Sequence, residues 1–197
     1  MAHTIYKTDA FVLGGNSVGE SHQYLALFTR TLGLVWALAR SARAERSKLR
    51  YHIQVLTYGE FALVRGRDLW RVTGARSTWN GFHDLRAHPA KLALLVRYLM
   101  LLKRLLHGEG EQRELFSLLE QGLLFLRDES VGDDVLQDFE CLLALRTLHL
   151  LGYLGEQQKL FDVLHTPTFD KEVLRRVSPL RQVALGEIRR ALYESQL

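Results

Sequence analysis

The sequence predicts a two-domain α+β fold in which a small β-barrel precedes an α-helical bundle. Up to about residue 80 the apolar residues fall in short β-branched and aromatic runs separated by glycine, a pattern typical of strands. After Pro89 they recur at intervals of three and four, as on one face of a helix. A chain of 197 residues has room for two small domains, and we place them at 1–79 and 80–197.

Five strands are predicted in the first domain, at residues 10–13, 24–28, 34–39, 53–64 and 69–73. Turns are expected at 14–17 and 66–68, because glycine and asparagine tolerate the positive φ values of tight reversals. Five short, twisted strands lose their exposed edges most simply by closing into a barrel. An SH3-like barrel would be a closely similar architecture.

The second domain is predicted to be a bundle of five helices. The first begins at Pro89, whose missing N–H is harmless in the first turn, and ends at Gly108. Its apolar face is expected to consist of Leu92, Leu95, Leu99, Leu102 and Leu106, with Lys91, Lys103 and Arg104 elsewhere. The other helices are expected at about 111–126, 134–151, 156–164 and 179–193.

The excess of positive over negative charge is confined to the first domain. Residues 1–80 contain eleven Lys and Arg against five Asp and Glu, whereas residues 81–197 contain fifteen against seventeen. Such asymmetry is typical of a protein in which one half binds a polyanion, and nucleic acid is the first candidate.

The densest basic segment lies at residues 40–50, between two predicted strands. It contains five cations: Arg40, Arg43, Arg46, Lys48 and Arg50. Arginine suits phosphate because its planar guanidinium meets two oxygens at once. A second set lies around the last hairpin and includes Arg65, Arg67 and Arg71. Both sets are predicted to bind DNA, and the alternative is that they are ordinary solvated side chains.

Aromatic residues occur between these cations, and an exposed ring on a small barrel stacks with nucleobases of any sequence. We select Trp36 and Tyr51 as candidates for stacking. Tyr58, Trp70 and Trp79 are further aromatic residues of this region. For each ring the alternative is packing in the core.

The sequence lacks the features that would indicate an enzyme, a metal site or a membrane protein. The single cysteine, Cys141, lies in a leucine-rich helical segment and is expected in the core, and the eight histidines show no ligand spacing. No nucleophile and base have a recognisable spacing. The richest apolar stretch, 92–106, contains three cations, so no membrane span is expected. We therefore expect a cytoplasmic protein without catalytic activity, metal or other cofactor.

The order of several short motifs resembles that of the RecO family of recombination mediators. In the first domain these are DAFVL at 9–13, GES at 19–21, LFT at 27–29, GLV at 33–35, ARSAR at 39–43, SKLR at 47–50, and Gln54. In the second they are ELF at 114–116, and FE at 139–140 leading to LLGY at 150–153. Many family members carry a four-cysteine zinc module after the last motif, whereas residues 154–159 contain no cysteine, so the chain resembles a short form without metal.

The resemblance implies an N-terminal OB-fold, a five-stranded barrel, followed by an α-helical domain. It also implies a non-catalytic function: binding single- and double-stranded DNA, annealing complementary strands and assisting the loading of the RecA recombinase. The implied protein partners are RecR and the acidic C-terminal tail of single-strand binding protein (SSB). The family's basic loop corresponds to Arg40, Arg43, Lys48 and Arg50 here.

The helical domain is the expected protein-binding surface. A groove flanked by Arg97, Arg104 or Arg146 would suit the acidic, hydrophobic tail of SSB, with a cation paired to its terminal carboxylate. Two other functions remain open at this stage: an OB-fold protein that binds RNA, and a protein-interaction adaptor without recombinase-loading activity.

Overall fold

Five strands form the N-terminal part of the chain in a computed structural model, which describes residues 4–67, 69–128, 131–155, 157–166 and 168–195. They are β1 (Ile5–Val18), β2 (His22–Thr29), β3 (Gly33–Ala39), β4 (Thr57–Arg65) and β5 (Trp70–Asn80). The pairing order β1-β2-β3-β5-β4 returns to β1, so the sheet is a closed barrel. All neighbours are antiparallel except β3 and β5. This is the topology of an OB-fold-like domain, and it confirms the predicted fold class.

The barrel core is built from alternate residues of the strands, because successive side chains of a strand point to opposite faces. On β3, Val35, Ala37 and Ala39 point inward and are at most 1% exposed, while Trp36 and Leu38 lie on the outer face and are only partly buried. The alternation of residues along 34–39 separates the same two sets in the sequence. Other inward residues are Val12, Leu25, Leu27, Phe61, Leu63 and Val72.

The turn expected at residues 14–17 is wrong, since β1 continues through these residues to Val18. The pairing register shifts between Val12 and Gly14, and the chain reverses later, around Gly19 with φ of +59°. Gly15 is needed for close approach rather than for a turn, because a Cβ there would lie 2.9 Å from the carbonyl oxygen of Tyr24. Gly14 and Gly15 are therefore strand residues and not turn residues.

Residues 53–64 were expected to form one strand, but the first residues of this segment form a loop. Strand β4 starts at Thr57, and Ile53 is buried in the barrel core from that loop. Strand β5 is longer than expected and ends at Asn80, whose side chain accepts a hydrogen bond from His83 N at 3.1 Å and caps the next helix. Asp68, part of the turn expected at 66–68, lies outside the described residues.

The helices are α1 (Gly81–Leu85), α2 (Pro89–Leu105), α3 (Arg113–Arg127), α4 (Leu136–Leu150), α5 (Phe161–His165), α6 (Lys171–Val177) and α7 (Arg181–Glu194). The helix beginning at Pro89 is confirmed, and the other four expected helices correspond to α3, α4, α5 and α7. The short helices α1 and α6 were not expected. Glu156, the expected start of the fourth helix, lies outside the described residues, and α5 begins five residues later.

The chain folds into two compact units, of which the first comprises Met1–Ala87 with Leu99–Arg113 and the second His88–Tyr98 with Glu114–Leu197. The second unit is organised around α4, which has eleven buried residues among its fifteen. Lys91, expected outside the core, is 2% exposed in this unit, and its Nζ donates a 2.7 Å hydrogen bond to the carbonyl oxygen of Asp128. This backbone acceptor offsets part of the cost of burying the lysine.

Candidate nucleic-acid interface

Residues 40–50, here called the basic loop, follow β3 directly. Its five cations, Arg40, Arg43, Arg46, Lys48 and Arg50, are all exposed. The backbone between them is anchored to the barrel core by Ala42, which is 1% exposed, and by Leu49, which packs against the same core. The loop therefore presents its charges from a fixed backbone.

Hydrogen bonds fold the basic loop into consecutive turns. Ala44 N donates to Ser41 O at 3.2 Å, and Ser47 N donates to Ala44 O at 3.0 Å. Arg43 N donates to Ser21 O at 3.0 Å, which ties the loop to the β1–β2 turn. Ser41 itself has a φ of +50°. This order reduces the conformational entropy that would be lost when the loop binds a ligand.

The cations of the basic loop are free to meet phosphate. Among the residues that the structure describes, none of the five forms an ion pair. Guanidinium and ammonium groups without an internal carboxylate keep their full attraction for a polyanion, which neutralises phosphates and releases counterions.

The outer face of β3 and β5 extends this basic surface. Leu38 pairs with Arg71 in the parallel ladder, and Arg71 is exposed on the same outer face. Arg40, the first residue of the basic loop, comes two residues after Leu38 in the chain. The register therefore places Arg71 beside the start of the basic loop.

The β4–β5 hairpin carries the other two predicted cations. Arg65 and Arg67 are exposed, and the register places Arg65 opposite Trp70. The Arg65 guanidinium lies 5.5 Å from the Trp70 ring centroid and 3.4 Å from a carboxylate oxygen of Glu109. Both arginines line a cleft of about 310 Å³ within the first unit, together with Trp36, Trp70 and Glu109. Arg65 therefore differs from the basic loop in having an internal acidic partner.

The two aromatic candidates occupy different environments. Tyr51 is 69% exposed, directly after the basic loop. Trp36 is half-buried: its ring stacks on Tyr24 with centroids 5.2 Å apart, and Lys103 Nζ lies 5.3 Å from its centroid. Tyr51 has the more accessible ring. Trp70 and Trp79 are each 4% exposed and belong to the core, as the alternative interpretation held.

The three arginines predicted to bind a partner have different surroundings. Arg97 forms two hydrogen bonds with the carboxylate of Glu140, at 2.7 and 2.6 Å, and these bonds raise its pKa. Arg104 is exposed at the end of α2. Arg146 is 3% exposed, and burial lowers its pKa to about 10. Of the three, Arg146 alone lines a cavity described below.

Arg146 is held inside the second unit by two carbonyl oxygens and an aromatic ring, and the carboxylate of Asp170 partly opposes the lowering of its pKa by burial. Its Nε donates to the carbonyl oxygen of Val163 at 2.9 Å, Nη1 donates to that of Thr168 at 3.0 Å, and its guanidinium lies 4.7 Å from the ring centroid of Phe169. Its Nη2 is buried without a hydrogen-bond partner among the described residues. Arg146 also lines a cavity of about 370 Å³ with His149 and the apolar side chains of Leu118, Leu150 and Leu164.

Two residues near the barrel surface were missed at the sequence level. Lys103 and Glu109 were assigned to the helical domain, but they fold with the first unit, where Lys103 contacts Trp36 and Glu109 contacts Trp70. The only local signal was an acid between two glycines, at 108–110. It is too weak to indicate a contact with residues about 40 positions earlier.

The described residues show neither a cluster of metal ligands nor a membrane-spanning helix. Within the described ranges, no three or more histidine, cysteine or acidic side chains are grouped so that they could hold a metal ion. In the same ranges, no helix combines the length and apolarity required to cross a bilayer. Cys141 is buried on α4, as expected, and burial raises the pKa of its thiol to about 11.

Comparison with known proteins places the barrel in a family. Residues 1–79 match the family described as "Recombination protein O N terminal". The chain is also similar to curated proteins described as "DNA repair protein RecO". It is 28% identical to that of Alkaliphilus metalliredigens (strain QYMF) over 151 residues, which is 77% of this chain and 58% of the relative.

Two further relatives extend the similarity beyond the barrel. The protein from Roseiflexus sp. (strain RS-1) is 29% identical over 185 residues, covering 94% of this chain and 62% of the relative. That from Heliobacterium modesticaldum (strain ATCC 51547 / Ice1) is 32% identical over 158 residues, covering 80% and 55%. The chain thus spans less than two thirds of the length of each of these relatives.

Proposed function

Since the chain belongs to the RecO family, we propose that it is a non-catalytic DNA-binding protein of recombinational DNA repair. The observation that carries the proposal is the basic loop: five exposed cations without an ion pair among the described residues, on a backbone anchored to an OB-fold-like barrel. In this proposal residues 1–79 bind nucleic acid and residues 80–197 bind protein partners.

The proposed binding mode is independent of base sequence. The basic loop and Arg71 hold the sugar-phosphate backbone, since guanidinium groups meet phosphate oxygens in pairs. Tyr51 supports a base by stacking, which any base allows because each has a π-face. Single- and double-stranded DNA both present the phosphates that such a surface requires.

Strand annealing follows from the same charges. Two complementary strands repel each other through their phosphates, and a surface that neutralises both lets them approach. No bond is made or broken, so neither ATP nor a catalytic residue is required. In repair, such a protein would anneal single strands and assist RecA loading.

For protein partners we propose RecR and the C-terminal tail of SSB. The support for the tail is the cavity beside Arg146, where three leucines lie next to a buried guanidinium whose Nη2 has no hydrogen-bond partner among the described residues. An acidic tail would supply an apolar anchor and, in its terminal carboxylate, a hydrogen-bond acceptor for Nη2.

The experiment that tests the proposal is annealing of complementary oligonucleotides, with and without SSB, by the protein and a variant carrying Arg43→Ala, Arg46→Ala and Lys48→Ala. We expect the variant to anneal at a rate close to that of protein-free strands. The matched control carries Arg127→Ala, Lys159→Ala and Arg189→Ala, three exposed cations of the second unit, and should retain the wild-type rate. Equal loss in both variants would show that net charge alone drives annealing, and no loss in either would remove the basic loop from the function.

A further inference from the structure

The cleft beside the β4–β5 hairpin already contains one oxyanion, the carboxylate of Glu109. Its Oε1 accepts a hydrogen bond from the indole Nε1 of Trp70 at 2.9 Å, and its Oε2 lies 3.4 Å from Nη1 of Arg65. An indole N–H and a guanidinium that converge on one carboxylate are also suitable donors for a phosphate oxygen. The arrangement of these two donors therefore defines an oxyanion site.

The cleft has further charge and room for a larger anion than a carboxylate. Arg67 lines it and is exposed, with no ion pair among the residues described. The two glycines on its rim, Gly66 and Gly108, contribute no side chains, and a Cβ added at Gly108 would meet nothing within 4 Å. A chain of phosphates therefore has open access to Arg65 and Arg67.

Glu109 is held loosely enough to be displaced. In its ion pair with Arg65 the two side chains are 45% and 64% exposed, and pairs so exposed to water are weak. The backbone next to it is fixed, because Gly110 N donates to the carbonyl oxygen of Leu32 at 3.0 Å. A rotation of the Glu109 side chain is therefore sufficient to free both donors, without movement of the barrel.

We infer that this cleft is a phosphate site for the nucleic-acid strand and that Glu109 is its internal competitor. The inference rests on the proposed function, because it requires that a nucleic acid reaches the barrel. A backbone phosphate takes the place of the Glu109 carboxylate on Arg65 and Trp70, and Arg67 contacts the same or the next phosphate. Glu109 thereby lowers the affinity and keeps the site closed to weakly held anions.

The test is the substitution Glu109→Gln in the full chain. Glutamine keeps an oxygen that accepts from Trp70 Nε1 but removes the negative charge that competes with phosphate. We expect single-stranded DNA to bind about threefold to tenfold more tightly. The slope of log affinity against log salt should steepen by about 0.7, the value for one additional phosphate contact with a single strand. Fluorescence anisotropy with a labelled oligothymidine at several salt concentrations measures both quantities, and thermal unfolding confirms that the variant is folded.

The matched control is Glu111→Gln, which removes the same charge two residues away. Glu111 pairs with Arg113 at 2.6 Å and contacts neither donor of the cleft in the described structure. The inference predicts tighter binding for Glu109→Gln alone, and no gain when Arg65→Ala is added to it. Equal gains in the two glutamine variants would overturn it, since bulk charge would then be the cause.

Failure of this inference is distinguishable from failure of the proposed function. If Glu109→Gln changes nothing while the basic-loop variant binds poorly, the cleft is no phosphate site but the barrel still binds DNA. If neither variant alters DNA binding, the proposed function itself is refuted.

Discussion

The basic loop makes a quantitative prediction about the salt dependence of DNA binding. Replacing Arg43, Arg46 and Lys48 by alanine removes three of its five exposed cations. The side chains that anchor the loop, Ala42 and Leu49, remain. The loop should therefore keep its conformation and lose only charge.

The expected magnitude follows from counterion release. If each of the five loop cations neutralises one phosphate, the loop contributes about −3.5 to the slope of log affinity for a single strand against log salt. The variant keeps two of these contacts, a contribution of about −1.4, so the slopes of the two proteins should differ by about 2.1. At a salt concentration of about 0.1 M its affinity should be about 100-fold lower, and the two proteins should converge toward 1 M salt.

The assay is a titration of a labelled oligothymidine, followed by fluorescence anisotropy at four or five salt concentrations. A mixed-sequence oligonucleotide should give the same slopes, because the contacts are to phosphate. An unchanged slope in the variant would refute the assignment of these cations to the interface. Competition by an RNA strand of equal length, or by polyglutamate of equal charge, would reveal one of the alternative functions if either competed better than DNA.

Three further predictions follow from single residues. Tyr51→Ala should weaken single-strand binding by roughly fivefold to 100-fold, the range for loss of one stacked base, whereas Tyr193→Ala, an 87% exposed ring of the second unit, should have no effect in the same titration. Arg146→Ala should lower the free energy of unfolding, measured in denaturant, by about 2–4 kcal/mol, because two charged hydrogen bonds and a ring contact are lost. The DNA affinity of this variant should not change. A variant as stable as the wild type would contradict the role of Arg146 in holding the second unit together. Burial raises the pKa of Cys141 to about 11, so at pH 8 only about one in a thousand of these side chains is a thiolate. Iodoacetamide should therefore label the folded protein very slowly and the unfolded protein readily. Rapid labelling of the folded protein would contradict the burial of Cys141.

The barrel was largely predictable because its strands alternate. Val35, Ala37 and Ala39 formed one face in the sequence, and they are the inward residues of β3. Gly15 was misassigned because a glycine that avoids a carbonyl oxygen on the neighbouring strand has the same local signal as a glycine in a turn. The difference depends on what lies across the sheet, which no local pattern contains.

The candidate interface was predictable to the extent that it depends on charge. Five cations among eleven residues are seldom buried, so the basic loop was evident without a structure. The burial and the partners of an individual arginine were not predictable. Arg146 became a core residue held by Val163 and Thr168, and Arg97 is paired with Glu140, which is 43 positions away. Such pairings depend on tertiary packing.

Arginine footprinting would locate the bound DNA on the folded protein. Phenylglyoxal modifies exposed guanidinium groups, and mass spectrometry reports the extent at each residue with and without an oligothymidine. We predict strong protection of Arg40, Arg43, Arg46 and Arg50 by DNA, with Arg127 and Arg189 modified equally in both samples. Unchanged modification of the basic loop, or protection confined to arginines of the second unit, would contradict DNA binding by the barrel.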